Sequence, residues 1–170
     1  TLVESAPAIH AAVARLLARE GRPPLDLPLV RSFVGNGVPA LIARVTQAAA
    51  LPGGAAEQAR LVAAFLEDYE SDPVALTEPM PGVPEALRAL ASAGCRMALC
   101  TNKPERPSAA ILSAFGLRDL FGAIVGGDTL PQRKPDPAPL RAAFRGLGAA
   151  PGLFVGDGEV DAATALAARV

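Results

Sequence analysis

Apolar positions recur at helical spacing over the first part of the chain. Ile9, Val13, Leu16 and Leu17 form one stripe between Ser5 and Gly21, with Ser5 placed to cap, Pro7 in the first turn and Gly21 to terminate, so a helix is predicted there. A proline-rich break is read from Arg22 to Pro28. Beyond it, Val38, Leu41, Ile42 and Val45 give a second stripe, and Leu61, Val62, Phe65, Leu66 and Tyr69 a third. The acidic run Glu67-Asp68-Tyr69-Glu70 is read as a solvated face of that last helix. Breakers from Ser71 through Pro73, Pro79, Pro81 and Gly82 then mark a boundary between two lobes.

From Val83 onward the pattern changes. Helical stretches alternate with short apolar runs at Arg96 to Cys100, Gly122 to Val125 and Leu153 to Val155, which predicts an α/β fold with a parallel sheet covered on both faces. Each run ends in polar or glycine residues: Thr101-Asn102-Lys103, Gly126-Gly127-Asp128 and Gly156-Asp157. In open parallel sheets a ligand sits at the carboxyl ends of the strands, so these clusters are expected to converge on one crevice.

Composition narrows the classes. Half of the 170 residues are apolar (51%), enough for one substantial core and a small second lobe. The 16 basic and 17 acidic side chains nearly cancel and form no long block, which argues against nucleic acid or an anionic membrane as partner. No apolar run approaches the roughly 20 residues needed to cross a bilayer, and a cytoplasmic protein is expected. Cys95 and Cys100 bracket a short strand and would point to opposite faces of it, so two reduced core thiols are expected rather than a disulfide.

Three groups could carry chemistry. Asp157 and Asp161, four apart at a strand end, repel each other unless a cation joins them, and hard oxygen donors of this kind suit magnesium; the alternative is that Asp161 and Gly158 only start a helix. In Lys134-Pro135-Asp136-Pro137, Pro135 favours an extended lysine, Asp136 is a good N-cap and Pro137 suits the first helical position. A lysine on so stiff a loop can neutralise a phosphate, as phosphoryl transfer requires. Thr101, Asn102 and Lys103 follow a buried strand, where a hydroxyl and backbone N–H groups can bind phosphate oxygens or simply form a turn. Gly35-Asn36-Gly37 superficially matches a dinucleotide-binding pattern, but no strand precedes it and Pro39 interrupts it; a tight loop is expected, with Arg31 nearby able to meet an anionic substrate. His10, the only histidine, is read as structural, leaving no zinc or histidine-based nucleophilic constellation.

Thr1-Leu2-Val3-Glu4-Ser5, Thr101-Asn102-Lys103, Lys134-Pro135 and Gly156-Asp157 with Asp161 stand in the order and spacing of the haloacid dehalogenase superfamily, which the chain resembles over essentially its whole length. Within that superfamily, Gly126 to Pro135 and the lobe with Arg31, Gly35, Asn36 and Gly37 are similar to the bacterial phosphoglycolate phosphatases. The resemblance implies a doubly wound parallel sheet core (residues 1–6 and 80–170) with an inserted helical cap (7–79). It implies a magnesium-dependent phosphomonoesterase of small phosphorylated metabolites, 2-phosphoglycolate foremost, with a sugar phosphate phosphatase, a phosphomutase or a noncatalytic magnesium- and phosphate-binding domain as alternatives. Thr101 and Lys134 would then act on the phosphoryl group, with Lys103 as a further contact and Asp157 and Asp161 holding the metal. The nucleophilic and acid/base aspartates of the family belong to a DxDG segment with no counterpart in residues 1–170, and further residues are expected before Thr1 and after Val170.

Overall fold

The computed structural model describes residues 1–148 and 152–170. Strand β1 (Val3–Glu4) leads into helix α1 (Ala6–Arg19), whose Ile9, Val13, Leu16 and Leu17 are all buried. Helix α2 (Leu27–Phe33) follows, so the proline-rich break is shorter than expected: Pro28 stands in the first turn, where its missing N–H removes no helical bond. Helices α3 (Val38–Ala48) and α4 (Ala55–Ser71) carry the other two stripes. Their buried faces join those of α1 and α2 in one apolar cluster that includes Leu41, Ile42, Leu61 and Phe65, with Phe65 and Tyr69 stacked at 5.7 Å between ring centroids. The acidic run on α4 is not a solvated face. Tyr69 is in the core, and Asp68 receives Arg15 and Arg19 of α1 at 2.6 Å each, because a helix buried against a neighbour places every third or fourth residue at the contact. His10 is structural, its Nε2 lying 2.8 Å from the Leu25 carbonyl oxygen.

Strand β2 (Glu78–Pro79) pairs with β1, and the chain divides near this ribbon into two compact units, residues 4–78 and residues 1–3 with 79–170. The second unit contains α5 (Val83–Ser92), β3 (Met97–Cys100), α6 (Glu105–Ala114), a 3-10 turn (Arg118–Leu120), β4 (Phe121–Val125), α7 (Pro137–Gly146) and α8 (Glu159–Ala168). Strands β3 and β4 are parallel, with Cys100 opposite Val125. Their two faces sort by period-two alternation: Ala98, Cys100 and Val125 meet Leu140 and Ala143 of α7 and Ala168 of α8, while Met97, Leu99 and Phe121 meet Leu87 of α5 and Leu112 of α6. A register irregularity between Met97 and Ala98 lets Phe121 and Ile124, three apart, share one face. Helix α7 lies close on β4 because Gly146 faces Ala123, where a Cβ on Gly146 would stand 2.6 Å from the alanine methyl.

Two further expectations are corrected. The run Leu153 to Val155 is not a strand: among the described residues it pairs with no neighbour, and without a ladder its alternation leaves Leu153 85% and Val155 68% exposed. Both cysteines are free, but only Cys100 is in the core; Cys95 precedes β3 and is exposed. Among the described residues no helix is long and apolar enough to cross a membrane.

Candidate active site

The carboxyl ends of β3 and β4 are held together by main-chain contacts that only small residues permit. Thr101 N–H donates to the Val125 carbonyl at 2.9 Å, continuing the ladder one residue past the strands, and Gly127 N–H donates to the Lys103 carbonyl at 2.8 Å. A Cβ on Gly126 would stand 2.3 Å from the Glu105 nitrogen, and one on Gly127 would stand 2.3 Å from the Asn102 carbonyl oxygen. Both glycines are therefore required for the 101–105 turn to lie against the end of β4. Asp128 completes the junction by accepting from the first N–H of α6, Glu105, at 2.7 Å, while Thr129 takes the Gly126 N–H and donates to the Glu105 carboxylate. Pro104 cannot cap α6 with a side chain, so Asp128 does this from across the sheet.

Within the turn, Thr101 Oγ1 accepts from Lys103 N–H at 3.1 Å, an ST-type turn that fixes the hydroxyl at the strand end. Asn102 is buried and its amide faces the 134 loop: Nδ2 donates to the Lys134 carbonyl and Oδ1 accepts from Lys134 N–H, both at 3.0 Å. The expected phosphate contact here is the backbone N–H; the side-chain amide engages the lysine main chain. Burial pushes the Lys103 ammonium down to about 8, and the same cause pushes the Cys100 thiol, one residue before the turn, up to about 11.

Lys134 stands in a cis peptide with Pro135, followed by Asp136, which caps α7 by accepting from Ala138 N–H at 2.7 Å with Pro137 at the first helical position. The lysine side chain is only 10% exposed, and its Nζ lies 2.6 Å from Asp161 Oδ1 and 5.5 Å from the centre of the Phe154 ring. A shielded ammonium against one carboxylate and one aromatic face has little rotational freedom.

Asp161 occupies the third position of α8, and its other oxygen, Oδ2, accepts from the N–H groups of Asp157 and Gly158 at 3.2 Å each. An acidic side chain reaching back over the first turn satisfies donors the helix leaves open. Gly156 makes room for it, since a Cβ there would meet the Asp161 Cβ at 2.3 Å. Asp157 is more exposed; its Oδ1 receives the Thr1 hydroxyl, and that hydrogen bond holds its carboxyl below the usual range. Phe154, Gly156, Asp157, Gly158 and Asp161 line a cavity of about 240 Å³.

One connected set of hydrogen bonds thus runs from Gly127 through the 101–103 turn to Lys134, Asp161 and Asp157. Three clusters that the sequence placed at strand ends are brought together, although the third follows no strand. The remaining candidates lie in the helical unit. Arg31, on α2, donates to Glu4 at 2.9 Å, and Gly35, Asn36 and Gly37 form the tight loop between α2 and α3, with both glycines at positive φ (127° and 84°). Asp128 as a cap and Asn102 as a main-chain clamp were not legible in the sequence. Two adjacent glycines at a strand end were the signal that a second segment approaches closely there.

As to a metal, among the described residues no three carboxylate, histidine or cysteine side chains gather to enclose one. Two carboxylates bordering one open cavity still fit magnesium, which keeps several waters and is completed by phosphate oxygens. They fit a softer metal poorly.

The haloacid dehalogenase-like hydrolase family matches residues 1–169. A phosphoglycolate phosphatase of Cereibacter sphaeroides is 58% identical over 168 residues, covering 99% of this chain and 77% of that protein. The phosphoglycolate phosphatase of Rhodospirillum rubrum is 47% identical over 177 residues, covering all of this chain and 73% of its own length. Among solved structures, a protein described as a predicted phosphoglycolate phosphatase from Haemophilus somnus superposes with a TM-score of 0.90 at 32% identity, over 99% of this chain and 78% of that one. The order of the clusters, the connected set of contacts that joins them and these similarities agree, and the chain belongs to the haloacid dehalogenase-like hydrolases.

Proposed function

We propose that this protein is a magnesium-dependent phosphomonoesterase that hydrolyses 2-phosphoglycolate to glycolate and phosphate. The observation that carries the reading is Lys134. A nearly buried ammonium is fixed by the Asp161 carboxylate at 2.6 Å, at the carboxyl end of a parallel strand pair and next to the Thr101 turn. Positive charge held in place before the reaction is what a phosphoryl transfer mainly requires of a protein, since the chemistry involves little beyond positioning and charge stabilisation. The relatives that match nearly the whole chain are phosphoglycolate phosphatases, which supports the choice of substrate.

In this reading Thr101 donates its hydroxyl hydrogen to a phosphoryl oxygen while Lys103 and Lys134 oppose the negative charge. Asp157 and Asp161 would hold magnesium, directly or through water, and Asp161, engaged through both oxygens, also fixes Lys134. When bound, magnesium supplies further positive charge against the phosphoryl oxygens. By motif order the nucleophile and the acid/base aspartate lie ahead of Thr1. The nucleophile's carboxylate oxygen bonds to phosphorus as the bond from phosphorus to the ester oxygen breaks and that oxygen takes the acid/base aspartate's proton. Water, giving a proton back to that aspartate, then attacks phosphorus and releases phosphate and the free nucleophile.

The test is phosphate release by the full protein from 2-phosphoglycolate, hexose phosphates and p-nitrophenyl phosphate, with and without magnesium. Preferential, metal-dependent turnover of 2-phosphoglycolate is expected. A preference for hexose phosphates would move the substrate to sugars, and release that survives chelation would remove the metal from the reading.

A further inference from the structure

We propose that the side chain of Asn102 is a positioning group for Lys134, transmitting the placement of the strand ends to the ammonium through the lysine main chain. Four observations lead to it. Asn102 is buried at 7% exposure, and its amide makes a reciprocal pair of 3.0 Å bonds to the main chain of Lys134, one to the N–H and one to the carbonyl. The two residues are 32 apart in sequence, so this pair is the tether between the turn after β3 and the loop before α7. The main chain of Asn102 is itself fixed from the other side, where Gly127 approaches so closely that a Cβ would fall 2.3 Å from the Asn102 carbonyl oxygen. The lysine side chain then leaves this clamped backbone toward Asp161.

An amide is the one short side chain that can both donate and accept in this way. Aspartate could accept from Lys134 N–H but not donate to its carbonyl; threonine is too short and leucine has neither function. The inference rests on the reading that Lys134 acts on the phosphoryl group, and adds that its effectiveness depends on a residue outside the reacting atoms.

The experiment is a double-mutant cycle on the full protein, with wild type, Asn102→Ala, Lys134→Ala and the double variant, and with kcat and KM measured separately. Because a small misplacement of a catalytic group can cost on the order of 10²-fold, Asn102→Ala is expected to lower kcat by about 10²-fold and to change KM little. On the Lys134→Ala background the same change is expected to cost no more than about 3-fold, since contacting residues are not additive. Losses that multiply, or a loss confined to KM, would overturn the proposal. Asn102→Asp, which keeps the acceptor, is expected to fall between wild type and Asn102→Ala, and replaces it in the cycle if the alanine variant does not fold.

Hydrogen exchange at the Lys134 amide gives a readout independent of turnover. Exchange should quicken in Asn102→Ala and stay slow in Asn102→Asp. Unchanged exchange in Asn102→Ala would overturn the proposal at its geometric root. Quickened exchange in a protein that turns over no phosphoester would uphold the clamp and sink the phosphatase reading instead.

Discussion

The helical unit and the α/β unit hold their polar groups in different ways. In the helical unit the charged side chains meet one another at the rim of a single apolar cluster: Arg15 and Arg19 on Asp68, Arg60 on Glu20 and Glu57, Arg31 on Glu4. In the α/β unit the polar side chains at the site mostly bind main-chain groups: Asn102 on Lys134 and Asp128 on Glu105 across segments, Asp161 on Asp157 and Gly158 at the start of its own helix. Pairs of flexible, exposed side chains contribute little and can be rearranged. Side chain to main chain bonds fix the path of loops, and loops carry the candidate chemistry. Stability of the first unit should therefore follow its apolar contacts, and competence of the second should follow a few short polar tethers and the glycines beside them.

The largest effect that could break this contrast is expected in the helical core. Phe65→Ala should destabilise by about 3–5 kcal/mol, the range for a large aromatic removed from a packed interior. Calorimetry that resolves more than one transition should show the loss in one of them; a uniform shift of all transitions would mean that the two units unfold together.

Lys134→Ala should do the reverse. Activity on 2-phosphoglycolate is expected to fall by about 10²- to 10³-fold, as for other groups that stabilise transition-state charge. Thermal stability should change less than in Phe65→Ala, because Asp161 keeps the main-chain donors of Asp157 and Gly158 when the ammonium and its contact with the Phe154 ring are lost. A large drop in melting temperature with proportionate loss of activity would assign Lys134 to structure.

Gly127→Ala sharpens the comparison at the main-chain level. The added Cβ meets the Asn102 carbonyl oxygen at 2.3 Å, so the turn must shift, at a cost of about 1–3 kcal/mol. Phosphate affinity, measured by calorimetry, should fall with it. Gly54→Ala, in the helical unit, meets nothing within 4 Å; its cost should come only from the positive φ of 121° and leave phosphate affinity unchanged.

The smallest effect concerns pH. Burial depresses the Lys103 ammonium from 10.5 to about 8. Between those values the unfolded chain binds a proton that the folded chain does not, so stability contributed by this group rises with pH across that window. Phosphate affinity should move the other way, weakening as pH rises through about 8 and the cation is lost. Lys103→Arg, which stays protonated, should flatten the affinity profile; a wild-type profile that is already flat would separate Lys103 from phosphate binding.

The same contrast explains how much could be read from the sequence. The stripes of α1, α3 and α4 were legible because one apolar cluster imposes one period on each helix. Helix α2 is hidden in the sequence because Pro28 closes a proline-rich run, yet proline in a first turn costs no hydrogen bond. The ends of β3 and β4 and the Asp136 cap were legible because their signals are local. The exposed run at Leu153 to Val155 shows the limit of that method: alternation marks a segment able to pair, but only a neighbouring strand makes it one. Thr101, Lys134, Asp157 and Asp161 stand out as candidates by residue type and position, but the contact made by Asn102 does not, since its partner is the main chain of a residue 32 positions away. No pattern of side-chain types encodes that contact.

Gly126, Gly127 and Gly156 share one property: in each, the volume a side chain would need is already taken, by Glu105, by Asn102 and by Asp161. In a saturation library screened for activity, these positions would tolerate almost nothing, and a tolerance map would rank them beside Lys134 although none of them offers a functional group. An engineer seeking a new substrate could not tell from such a map which intolerant positions react and which merely leave room. The distinction would come from asking whether survivors regain function when the opposing residue is trimmed. That compensation is closed to all three: the nearest neighbours of Gly126 and Gly127 are backbone atoms, and relieving Gly156 would remove the Asp161 Cβ and with it the carboxylate that holds Lys134.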